Sequence, residues 1–356
     1  MPDPIRLNLQ AITATDPLAA WLRSYLHPLL FAAVGLALGA LYTLILPQIN
    51  GVLAASLADW PTLLVMLVLV PLILGWYAWQ PSAMLALYQG LLARVSEADG
   101  APARMAALLA DEHQVRWWTG LVLALTLVFT AALALRVLPA AGPAAGLLVW
   151  VVAALRLLIR CLTIYVLLMC LVRQLILILN LNRLFQQAVV QLNPLHPDRA
   201  GGLWIMGRFA LHSAGLVMLV GLVLSLQSIG ARQGGASLGP EFGVEVAVWM
   251  VGGVAAFFLP LVEAHRQMAA ARTALLSDIV VELNRHGHEL MTRLARRETA
   301  EASMEHLEAL EDFYALAEAA PVWPFDAETL RRFAGVILLP IVLPAAVDAV
   351  INVLMR

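Results

Sequence analysis

Apolar residues arrive in long runs along this chain, and the polar stretches between them divide it into seven predicted helices. The first run, Pro28 to Pro47, carries no charge. A short polar link follows, Gln48 to Asp59. The second run goes from Pro61 to about Trp79 with Pro71 in its middle, and it closes on Trp76, Tyr77 and Trp79, aromatics of the kind that collect at a membrane interface. Thr119 to Leu138 is the third, and Gly146 to Arg183 a much longer fourth. Phe209 to Gly230, Val244 to Val262 and Leu330 to Met355 complete the set. Each has the roughly 20 apolar residues needed to cross about 30 Å of hydrocarbon. The fourth would reach roughly 57 Å as one helix at about 1.5 Å per residue, so it is expected to continue into water.

The segments between the runs read as amphipathic. Ile5, Leu7, Leu9, Ile12, Leu18, Trp21 and Leu22 alternate with polar residues, which predicts a surface-lying helix over about 17–25. Ser82 to Arg116 reads as two short amphipathic helices. His265 to Glu318 is the longest polar region, with an arginine-rich first arm and a second arm rich in glutamate. Apolar positions at Leu276, Ile279, Leu283, Leu290 and Leu294 fall near heptad spacing. The two arms are expected to pair as a hairpin. Pro321 to Asp326 then turns the chain, with Asp326 as N-cap of the last run. Three parts result: a membrane bundle over 1–264, a cytoplasmic hairpin over 265–328 and a seventh span over 329–356.

Composition removes the soluble alternatives. The chain is 62% hydrophobic and 13% charged, with a mean hydropathy of +0.83, whereas about a quarter of a soluble domain is charged. Its net charge of -2 says little, but the placement of the cations says more. All 22 basic residues are arginine. With the N-terminus inside, 17 arginines fall in interior segments and 3 in exterior ones, the other 2 lying within the membrane. The positive-inside bias therefore predicts N-inside and C-outside. Arginine in place of lysine, with abundant Ala, Leu and Val, suggests a bacterial source and hence the inner membrane. The N-terminus lacks the pattern of a cleaved signal peptide. Cys161 and Cys170 lie in the apolar part of the fourth run and read as packing residues.

The sharpest candidate chemistry is Arg156 and Arg160, four residues apart on one face of the fourth helix. They lie about 15 and 21 Å from its start. An arginine there costs about 2.5–3.5 kcal/mol to insert and needs a carboxylate, carbonyls, water or a passing ion. The seventh run repeats Pro340, Pro344, Asp348 and Asn352 every four residues. Its prolines break backbone hydrogen bonds, and Asp348 falls at the depth of Arg156. An Arg156–Asp348 pairing is expected, either as a staple between two helices or beside a hydrated path for an ion or small anion. Glu245 and Glu263 are boundary carboxylates that reach water. His286, His288 and Glu289, with His265 and His306, are the only metal candidates, and histidines two apart point to different sides of a helix; no metal or other cofactor is expected. No Walker loop, dinucleotide fingerprint, serine triad or HExxH motif is present, and no basic-aromatic stripe for nucleic acid.

One loop carries a resemblance. His196-Pro197-Asp198 is the tripeptide of J-domain co-chaperones, but its flanks are membrane helices and no such domain fits around it. The longer segment, His196-Pro-Asp-Arg199-Ala-Gly201-Gly202-Leu203, resembles a loop of uncharacterised bacterial multi-span membrane proteins, which implies no activity. Asp198 and Arg199 would anchor the next helix, with Gly201 and Gly202 allowing close approach; a gate contact with His196 is the alternative. The seven-span, N-inside layout with a helical lower layer resembles in architecture the insect chemoreceptor channels. That resemblance implies a homo-oligomer whose last helix lines a pore. Two functions are expected on these grounds: a channel for an ion or small anion, or a membrane-anchored sensor or scaffold whose hairpin binds a soluble partner.

Overall fold

In the computed structural model of the chain, residues 16–21, 27–92, 116–137, 146–187, 200–233, 240–296 and 301–354 are described, with Ile12, Ala103, Ala107 and His196 as isolated positions. The described residues form helices and turns, with no strand among them. The elements are α1 (Pro17–Trp21), α2 (Pro28–Ile49), α3 (Leu53–Ala58), α4 (Trp60–Leu92), α5 (Arg116–Val137), α6 (Leu147–Gln187), α7 (Trp204–Gln233), α8 (Pro240–Ala295), α9 (Glu301–Glu318) and α10 (Ala327–Leu354). Seven of them, α2, α4, α5, α6, α7, α8 and α10, are long and apolar enough to cross a membrane. This is the build of a multi-pass membrane protein.

Helix α8 runs unbroken from the membrane-type segment into the arginine-rich arm, and α9 folds back along it. That end of the molecule, which also holds the ends of α4 and α6 and the starts of α7 and α10, is called the hairpin end. The ion pairs of the α8 arm lie along α8 itself: Arg266 with Glu263, and Arg285 with Glu282. The hairpin is joined across its arms by other means. Arg272 donates to the Glu318 carbonyl at the end of α9, and the His286 ring lies 4.4 Å from that of His306. Below it, Phe257, Phe258, Trp323, Phe325 and Phe333 form an aromatic cluster against the turn into α10. His265 stacks on Trp323 at 4.0 Å.

The turn caps α10 as expected. The Thr329 backbone N–H donates to Asp326 Oδ1 at 2.8 Å, which holds this carboxyl below the usual carboxylate range. A depressed folded pKa contributes stability above the unfolded pKa and loses it as pH falls through the folded value. The exposed site keeps that contribution small. Asp326→Ala is expected to lower stability by about 1 kcal/mol at neutral pH, with a smaller loss under acid, as read from thermal unfolding at both pH values.

Two of the sequence expectations change. The stretch from Ser82 continues α4 to Leu92 instead of starting a separate helix; most of residues 93–115 lie outside the described residues. Helix α1 is not surface-lying either. Asp16 and Ala19 are buried within the bundle, Ala19 in the core that also holds Phe31, Tyr77 and Tyr165, while Ile12 joins the core at the hairpin end with Met84, Tyr88 and Leu184. A buried carboxylate requires partners, and those that meet Asp16 lie on α4 and α6.

Candidate functional site

The bundle carries a recurrent local device. A proline inside a helix has no N–H, so the carbonyl one turn back loses its donor; in hydrocarbon that carbonyl must find another. Pro81 frees the carbonyl of Tyr77, which accepts from Arg173 Nη1 at 3.0 Å. Pro344 frees that of Pro340, which accepts from the Ser225 hydroxyl of α7. Pro47 follows a π-helical turn over Leu41–Ile45, in which the Leu46 N–H bonds five residues back to the Leu41 carbonyl. Both carbonyls it leaves open are met: Thr43 O by the Ser56 hydroxyl at 2.8 Å and Tyr42 O by Arg156 Nη2 at 3.4 Å. A second π-helical turn, Val65–Leu69, precedes Pro71. It leaves the Met66 carbonyl against Gly39 of α2.

This device places the predicted residues. Arg156 and Arg160 do share one face of α6, and that face meets α2. Their guanidinium carbons lie 5.0 and 5.3 Å from the centre of the Tyr42 ring, within cation–π range. Among the described residues neither meets a carboxylate, and Arg156 Nε is buried with no hydrogen-bond partner. The side chains of Asp348 and Asn352 lie outside the described residues. Helix α10 packs chiefly on α7.

Pro340 and Pro344 face a cavity of about 270 Å³ between α7, α8 and α10. Ser225 and Ser228 line it with Trp249, Gly221, Ile341 and Ala345. The Trp249 indole donates to the Val217 carbonyl at 2.7 Å, which fixes the ring as a wall. A second hollow of about 460 Å³ lies between α4 and α7, away from the hairpin end, with Asp59, Thr62 and Gln227 among its lining.

The most heavily bonded cluster among the described residues was not among the predicted sites. Arg173, counted above among the interior arginines, is buried in the bundle with 1% of its surface exposed, as is Asp16. One guanidinium nitrogen binds Asp16 Oδ2. The Tyr77 hydroxyl donates to the same oxygen at 2.6 Å, and the Tyr165 hydroxyl to Oδ1 at 2.8 Å. The N–H groups of Leu18 and Ala19 complete the set at 3.0 and 3.1 Å. Polar contacts continue toward the hairpin end: Gln80 to the Cys170 carbonyl at 2.9 Å, Gln174 to Ser213 at 2.6 Å and Asn180 to Tyr88 at 3.1 Å. Cys170 is fully buried and Cys161 half-buried, both as free thiols.

The glycine loop leads directly into α7. Gly201 and Gly202 have φ of 63° and 86°, a left-handed pair that glycine adopts without strain. They fold Ala200 and Leu203 into the core at the start of α7. His196 is half-buried, and Asp198 and Arg199 lie outside the described residues. No group of three metal-ligating side chains occurs among the described residues. No known protein family, curated protein or solved structure matches this chain.

Proposed function

We propose that the protein is a homo-oligomeric channel of the bacterial inner membrane, N-terminus inside and C-terminus outside, that passes an ion or small anion beside α10. The observation that carries this reading is the hydroxyl-lined cavity against the two prolines. Ser225 and Ser228 give their hydroxyl protons to the Pro340 and Ser225 carbonyls, so their oxygens can stand in for water around a partly dehydrated cation, while Arg232 in the same lining brings the charge an anion needs. The path lies at α7 and α10, with Arg156 and Arg160 of α6 adding fixed positive charge elsewhere in the bundle. On its outer side α10 exposes Leu338, Leu339 and Val342, a face that suits a second copy as well as lipid. The arginine distribution supports the orientation and makes the hairpin cytoplasmic.

Flux from liposomes holding the purified protein tests it. Halide and cation efflux above empty vesicles is expected, with loss of flux in Ala345→Trp, whose ring would fill the cavity. Efflux equal to empty vesicles overturns the reading. Ser225→Ala is expected to cost about 1–3 kcal/mol in thermal unfolding, because the Pro340 carbonyl then stays buried without a donor. A second reading, a scaffold that binds a soluble partner, draws support from Val281, Met291, Leu294 and Met304, all exposed on the hairpin. Silent flux would favour it.

A further inference from the structure

We infer that Arg173, Tyr77 and Tyr165 form a binding site for a small carboxylate, and that the chain's own Asp16 occupies it as a tethered ligand. The receptor and its occupant come from separate parts of the chain, Arg173 and Asp16 being 157 residues apart. The cation of the receptor is held without the occupant. Arg173 is fixed by its second bond, to the Tyr77 carbonyl that Pro81 frees, and by the Tyr77 ring 4.4 Å beneath its guanidinium carbon. Gln80, one turn along α4, ties the same two helices together through the Cys170 carbonyl. Arg173 Nε, buried beside the site, has no hydrogen-bond partner among the described residues. Removal of the Asp16 side chain therefore leaves the guanidinium held in place, with two phenol hydroxyls and the Leu18 and Ala19 N–H groups around the vacated space.

The donors select the ligand class. Both carboxylate oxygens are used: Oδ2 by Arg173 and Tyr77, Oδ1 by Tyr165. A planar anion with two oxygens on one carbon satisfies all three groups at once. Chloride is one spherical atom, so the two phenols, which here donate to separate oxygens, would have to converge on a single point. Sulfate or phosphate would bring a second charge to one buried guanidinium, at a desolvation cost nothing in the site offsets. The cleft has the size of one aspartate side chain, so formate and acetate are its natural probes. The cluster contains none of the residues that line the α7–α10 cavity, so the inference does not depend on conduction.

The experiment uses the full-length protein in detergent, with Asp16→Gly and the double variant Asp16→Gly/Arg173→Met, followed by thermal unfolding. Asp16→Gly is expected to lower Tm by roughly 5–10 °C. Formate should restore at least half of that loss in a saturable manner, while chloride and sulfate at equal ionic strength should not. The double variant should show no response to formate. Restoration by chloride to the same extent overturns the inference, as does a formate response that survives loss of Arg173 or a single variant that formate leaves unchanged. Where Asp16→Gly alone gives too little folded protein to melt, the yield of monodisperse protein purified with and without formate is the readout. A yield that formate does not raise overturns it equally.

Discussion

Arg173→Met is expected to destabilise the protein by about 3–5 kcal/mol, the range found when one partner of a buried ion pair is removed. Two losses coincide at this position. The Asp16 carboxylate keeps two phenol and two amide donors but has no cation in a site with 1% exposure. The Tyr77 carbonyl, already without its helical donor because of Pro81, loses the replacement. Methionine fills a similar volume, so cavity formation adds little. Arg173→Lys should recover only part of the loss, because one ammonium cannot reproduce the planar fork that reaches Asp16 and Tyr77 together. The double variant Arg173→Met/Asp16→Asn should cost less than the sum of its two singles, since the second change removes the charge that the first strands. Thermal unfolding of the purified proteins, with monodispersity followed by size exclusion, measures all four. Additive losses would show that the two side chains are not coupled.

This pair also marks where the sequence stopped being informative. The seven membrane-type helices were legible because apolar runs of span length are a local property, and the capping role of Asp326 was legible because its donor lies three residues away. The shared face of Arg156 and Arg160 followed from helical spacing alone. Its neighbour did not: the sequence offers Asp348 on α10, whose side chain lies outside the described residues, and gives no sign that the face meets the ring and carbonyl of Tyr42. That carbonyl is open because a π-helical turn runs into Pro47, and a π turn leaves no periodic mark in composition. Asp16 was hidden by distance. In a weakly amphipathic stretch one aspartate looks solvated, and nothing local ties it to an arginine 157 residues further on. A usable signal did exist at Arg173. It stands between Val172 and the apolar stretch Leu175–Leu179, so it belonged with the buried cations and not with the solvent-facing ones. Pro81 was the second signal, since it names Tyr77 as a carbonyl in need of a donor.

The same rule carries the second large effect, Gly39→Val, which is expected to cost 3 kcal/mol or more, roughly the upper end of overpacking. Helices α2 and α4 cross at Gly35 and Gly39. A Cβ at Gly35 would stand 2.7 Å from Pro71 Cα, and one at Gly39 would overlap the Met66 carbonyl. That carbonyl is open because the Val65–Leu69 turn runs into Pro71. With no side chain at Gly39, α2 lies close enough for a Cα–H contact to substitute for the missing N–H. Two costs therefore arrive together on substitution: the backbones are forced apart, and the carbonyl loses what covers it. Neither obstacle is the tip of a flexible side chain, so rotamer changes cannot relieve the clash. Gly120, where an added Cβ meets nothing within 4 Å among the described residues outside its own helix backbone, supplies the control. Gly120→Ala should leave the melting temperature unchanged or raise it slightly, since alanine favours the helix by about 1 kcal/mol. Equal melting temperatures for Gly39→Val and Gly120→Ala would show that α2 and α4 do not meet through this glycine.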